Sequence, residues 1–152
     1  MADTNRKTSG PGPDNPGPQA ALVDAAARVL ENLAELEPEL VNAGIFDRNL
    51  EAVCVTSASP DWPKQAVALL EALDSSSGEE VFDSAHIAET DGEVFAVTEE
   101  GLSLVAVTGR FVLASLTSYD MRMALRDAAR AASSSGDVEP LDNGENGGSE
   151  DA

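Results

Sequence analysis

Glu93-Val-Phe-Ala-Val-Thr-Glu99, Leu102-Ser-Leu-Val-Ala-Val-Thr108 and Phe111-Val-Leu-Ala-Ser-Leu-Thr117, running on through Tyr119 to Ala132, decide the fold class. The three segments are rich in β-branched and aromatic residues and are predicted strands. Glu100-Gly101 and Gly109-Arg110 supply the turn chemistry between them. From Tyr119 the period changes. Met121, Leu125, Ala128 and Ala132 recur on one helical face, Asp120 stands as a cap, and Arg122, Arg126 and Arg130 form an outward stripe. The middle strand is apolar on both sides, with Leu104 and Ala106 on one and Val105 and Val107 on the other. An antiparallel sheet ordinarily leaves one face wet, so helices must cover both faces here.

Upstream, Gln19 to Glu37 reads as a first helix, with Leu22, Ala26, Val29, Leu30, Leu33 and Leu36 at helical spacing and Pro38 ending it. Leu40 to Asp47 and Leu50 to Ser57 read as a hairpin turned by Asp47-Arg48-Asn49. Ser59-Pro60 is a helix entry, and Ala66, Leu69, Leu70 and Leu73 line one face. Asp74-Ser-Ser-Ser-Gly78 looks like a loop, yet Ser77, Val81, Ser84 and Ala88 keep the apolar phase across it. That register favours one helix from Pro60 to about Ala88, about 44 Å long, over two pieces. Phe82 then lies about 160° from Ala66, with Val67, Gly78 and Ala85 on its flank, a second apolar side suited to another helix. The expected class is α+β: a five-stranded antiparallel sheet with helices on both faces, in the order α-β-β-α-β-β-β-α.

The 152 residues suit one domain. Residues 1–18, rich in Pro and Gly, and 134–152, acidic with repeated Gly and Ser, are expected to be disordered tails around a folded unit at 19–133. The balance is 28 acidic against 9 basic residues, net −19. Setting the tails aside removes eight acids and two bases and still leaves 20 against 7. Only Lys7 and Lys64 are lysines. An acidic, lysine-poor, alanine-rich chain fits a cytosol at molar salt, where the Debye length of about 3 Å screens self-repulsion. The expected source is an extreme halophile, archaeal in type. No basic patch exists to neutralise phosphates, so nucleic acid is not an expected partner. A single cysteine, Cys54, fits a reducing cytoplasm. A polar N-terminus and the lack of an apolar run of about 20 residues argue against a leader or membrane insertion.

Catalytic chemistry is poorly provided for. His86 is the only histidine and Cys54 the only thiol, and both read as structural. No Cys/His cluster suits zinc and no glycine-rich phosphate loop is present, so no cofactor, metal or catalytic residue is expected. Asp142, Glu145 and Glu150 lack the spacing of a calcium loop. Arg122, Arg126 and Arg130 read either as a charged docking edge or, more simply, as surface charge paired with Asp127 and other carboxylates. Arg48 and Arg110 sit at turns from which an arginine could reach a partner's nucleotide site, though turn arginines also serve solubility.

The element order, and above all Gly101-Leu-Ser-Leu-Val-Ala-Val-Thr-Gly-Arg-Phe-Val-Leu-Ala-Ser-Leu-Thr117, resembles the Roadblock/LC7 family, including bacterial MglB-like proteins. The resemblance implies a sheet with the second helix on one face and the first and last on the other. It also implies a dimer, made with itself or with a second Roadblock protein. Such dimers pair third strands edge to edge and lay second helices side by side. Here that would place Glu93 to Glu99 at the interface, with Val67, Glu71, Ser75, Gly78, Phe82, Ala85, Val94 and Ala96 as its residues. Such dimers serve as docking platforms for Ras-like small GTPases, which implies a non-catalytic module for an MglA-like GTPase. A profilin- or PAS-like small-molecule sensor, or a general structural scaffold, is the alternative. The platform depends on Pro60 to Ala88 being one rod with Phe82 facing outward.

Overall fold

The computed structural model describes residues 18–110 and 112–136. Eight elements follow in the expected order: α1 (Pro18–Leu36), β1 (Leu40–Phe46), β2 (Ala52–Thr56), α2 (Trp62–Ser76), β3 (Ser84–Ala88), β4 (Glu93–Glu99), β5 (Leu102–Thr108) and α3 (Ala114–Gly136). All pairings are antiparallel and the sheet order is β2-β1-β5-β4-β3. Helices α1 and α3 share one face and α2 covers the other. Residues 1–17 and 137–152 of the expected tails lie outside the described residues; α3 runs to Gly136, past the boundary expected at Ser133.

The two-sided apolar strand is β5, and both of its faces are covered. Leu104 and Ala106 join Leu30, Leu33, Phe95, Met121 and Leu125 under α1 and α3, while Val105 meets Phe46, Leu70, Phe82 and Ala96 under α2. Leu36 departs from its expected inward stripe and is 61% exposed; Glu37 turns inward instead.

Two assignments change. The rod from Pro60 to Ala88 is broken. Helix α2 stops at Ser76, Gly78 takes φ +70°, and residues 84–88 form a strand. A glycine just past the last turn is the ordinary left-handed stop. Ser76 and Ser77 turn their hydroxyls back onto the carbonyls of Ala72 and Leu73, both at 2.8 Å, back-bonding that weakens the helix just before the glycine stop. The helical phase of Ile87 and Ala88 coincides with a strand's alternation, which five residues cannot distinguish. The segment 111–117 is not a third meander strand. Phe111 itself lies outside the described residues, and Ala114 to Thr117 begin α3, whose first turn is closed by Leu116 and Thr117 N–H donating to the Leu113 carbonyl at 3.0 Å. The strand count of five survives because β3 replaces the lost one.

Candidate interaction surface

Strand β3 is an outer strand. Ser84 to Ala88 pair with Val97 to Glu93 of β4 without a register shift, and among the described residues no strand lies on the far side. Ser84-Ala85-His86-Ile87-Ala88 itself holds no lysine, proline or bulge to blunt this edge, and among the described residues no segment pairs with its far side. Its side chains alternate. Ala85 and Ile87 lie on the α2 side, opposite Ala96 and Val94, while His86 lies on the α3 side, stacked on Phe95 with centroids 4.5 Å apart. His86 Nε2 also meets Glu93 Oε1 at 2.6 Å, which fixes the imidazole against its own subunit.

Helix α2 covers the sheet incompletely. Between its N-terminal half and β3 runs a groove of about 360 Å³ floored by Val94, Val105 and Val107 and walled by Trp62, Leu69 and Ile87. Ile87 is 39% exposed although it stands on the covered face of the sheet. The opposite flank of α2 borders a smaller groove of about 290 Å³ with Lys64, Val67, Ala68 and Glu71 above Phe46 and Ala52.

These two grooves divide the residues expected at the interface. Val67 and Glu71 stand on the flank toward β2, away from β3. Ser75 is exposed near the end of α2, and Gly78 is in the turn beyond it. Phe82 is 8% exposed and packs inside its own subunit against Leu70 and Ala96. Ala96, 1% exposed, is likewise core. Glu93 to Glu99 is β4, hydrogen-bonded on both sides, so it has no edge to offer. Only Ala85 and Val94 adjoin the open edge and its groove. The continuous rod and outward Phe82 therefore fall, and with them the support they lent to the GTPase platform. Ile87, Leu69 and Gln65 were missed; the alternation of 84–88 between Gly78 and Gly92 was the signal that could have found them.

The arginine stripe is satisfied internally. Arg122 holds Asp83 at 2.7 Å and Glu99 at 3.0 Å, Arg126 holds Glu99 at 3.2 Å, and Arg130 meets Asp127 at 3.6 Å. Arg126 and then Arg122 keep the Glu99 carboxyl below the usual carboxylate range, and Arg122 does the same for Asp83. The geometry favours the simpler reading of paired surface charge over a docking edge. Burial pushes the Cys54 thiol up, away from the reactive thiolate. Among the described residues no three His, Cys, Asp or Glu side chains gather as a metal site, and no helix is long and apolar enough to cross a membrane. Apart from the groove beside β3, the space between α2 and the sheet is packed by Phe46, Leu70, Phe82, Ala96 and Val105.

No protein-family model and no curated protein matches the sequence. Solved structures do match. A Roadblock/LC7 domain from Streptomyces avermitilis aligns with TM-score 0.57 and 18% identity over 65% of this chain and 90% of that one. The gliding protein MglB from Thermus thermophilus aligns with TM-score 0.59 and 20% identity over 74% and 91%. An MglB solved in a tetrameric arrangement aligns with TM-score 0.62 and 17% identity over 76% and 93%. With its sheet order, its single helix on one face and its helix pair on the other, this chain has the Roadblock/LC7 fold.

Proposed function

We propose that this chain is a non-catalytic module that self-associates through the β3 edge and binds a Ras-like, MglA-like small GTPase as regulator or scaffold. The observation that carries this reading is the unblunted edge of β3 beside an apolar groove in which Ile87 is 39% exposed. Edge-to-edge pairing of β3 with a second β3 would satisfy its outer backbone groups and cover the groove with the second copy's α2. The fold shared with MglB structures, one of them tetrameric, supports assembly, and the family resemblance supplies the GTPase. The acidic composition supports a cytoplasmic setting at high salt, that of a halophile. Capture of MglA-like small GTPases loaded with GTP or GDP on the immobilised full chain tests the partner: nucleotide-dependent retention is expected, and none in either state overturns it.

A further inference from the structure

A third crevice, of about 310 Å³, lies at the opposite end of α2 from the β3 groove, where three loops meet. We propose that it binds a small zwitterion of the amino-acid type, its carboxylate on Arg48, its ammonium on Asp74 and its apolar side chain against Leu50 and Val81. The backbone around it is unusual. The four described residues with positive φ are Leu50 (62°), Gly78 (70°), Glu100 (55°) and Gly101 (83°), and all fall in the loops that ring the crevice. Gly78 ends α2 and Glu100-Gly101 form the tight turn between β4 and β5, which leaves Leu50 as the strained position, and such strain gathers at binding sites.

The side chains supply complementary chemistry. Among the described residues Arg48 makes no ion pair or hydrogen bond, whereas Arg122, Arg126 and Arg130 each hold a carboxylate. Arg48 lies against Gly101, where a Cβ would stand 2.6 Å from its Nε, so a side chain there would displace the guanidinium from this position. Ser103 is 8% exposed and lies 3.1 Å from the Thr98 hydroxyl. One hydrogen joins the two oxygens, which leaves the other hydroxyl hydrogen outside that bond, and both residues line the crevice. Two carboxylates line the crevice as well. Asp47 is engaged, its Oδ1 accepting the N–H of Asn49 and Glu51 at 2.8 and 3.0 Å, while the exposed Asp74 side chain holds no partner among the described residues. A simple anion would face both carboxylates and a simple cation would face the guanidinium. A zwitterion meets both charges. The volume is at the small end for ligand sites and suits one amino acid rather than a nucleotide.

Isothermal titration of the full chain with leucine, valine, methionine and phenylalanine tests this, with isovalerate and isoamylamine as analogues lacking one charge each. Saturable 1:1 binding of at least one amino acid is expected, with both analogues, Arg48→Gln and Asp74→Asn each weakening it by about tenfold or more, the size of a lost charge-assisted hydrogen bond. Unchanged melting of both variants shows that they remain folded. Absence of binding by all four amino acids, equal binding of isovalerate, or indifference to both substitutions overturns the proposal. None of these outcomes depends on GTPase capture.

Discussion

Glu37 closes α1 with its side chain turned inward, 7% exposed, accepting the Thr117 hydroxyl at 3.0 Å. Burial raises its carboxyl above the usual glutamate range, Thr117 opposes that, and neighbouring Asp120 adds to it. A group whose folded value is raised binds its proton more readily folded than unfolded, so stability falls as pH rises from the ordinary glutamate value through the raised one. Glu37→Gln should therefore raise the melting temperature at neutral pH and change it little at about pH 4, as thermal unfolding followed by circular dichroism at both pH values would show. The arginine network behaves in the opposite sense. The depressed values of Glu99 and Asp83 give stability that is present above the ordinary carboxylate range and lost as pH falls through the lowered ones. Glu99 is only 15% exposed, so Arg122→Met should cost about 1 kcal/mol in urea unfolding at neutral pH and flatten the acid-side slope. The residues of this network were visible in the sequence as a stripe. Their partners were not, because Asp83 and Glu99 lie 39 and 23 positions before Arg122.

Between α2 and β3 a single glycine separates two readings of the same apolar pattern. At Gly78 φ is +70° and a Cβ would meet nothing within 4 Å, so the cost of a side chain there is purely conformational. Gly78→Ala should destabilise by about 1 kcal/mol, readable as a lower urea midpoint at unchanged slope. The next element boundary rests on Phe82, which fills the space under α2. Phe82→Ala should cost about 3 kcal/mol through the cavity it leaves, and Phe82→Glu, which an outward Phe82 would tolerate, should unfold the chain. The hairpin turns were legible because their chemistry is local. Asp47 caps two amides within four residues, and Glu100-Gly101 supplies the two left-handed residues of a tight turn. The start of α3 was not, because Val112, Leu113 and Leu116 satisfy strand and helix patterns alike, and only the closure of the first turn onto the Leu113 carbonyl selects the helix.

At the level of the molecule, the open edge and the charge set the behaviour. Ile87→Lys adds the residue type that natural edges use against pairing. It should convert the proposed β3-paired dimer to a monomer in light scattering coupled to size exclusion while shifting stability by no more than about 0.5 kcal/mol. A net charge of −19 predicts that the unfolding midpoint rises as KCl increases from about 0.1 to about 3 M, where the Debye length shrinks to about 3 Å. A flat response would remove the halophilic reading. Composition, hydrophobic period and turn residues by themselves determined the first helix, the first hairpin, the strands at 93–99 and 102–108 and the need for helices on both faces, since each is written in neighbouring residues; the count of five strands came out right because β3 took the place of the strand expected at 111–117. Tertiary structure alone decided which strand lies at the edge and which flank of α2 adjoins it. It also decided that Phe82 is core and that Arg48 sits on Gly101. Those depend on pairing energies between segments far apart in the chain, which no local periodicity carries.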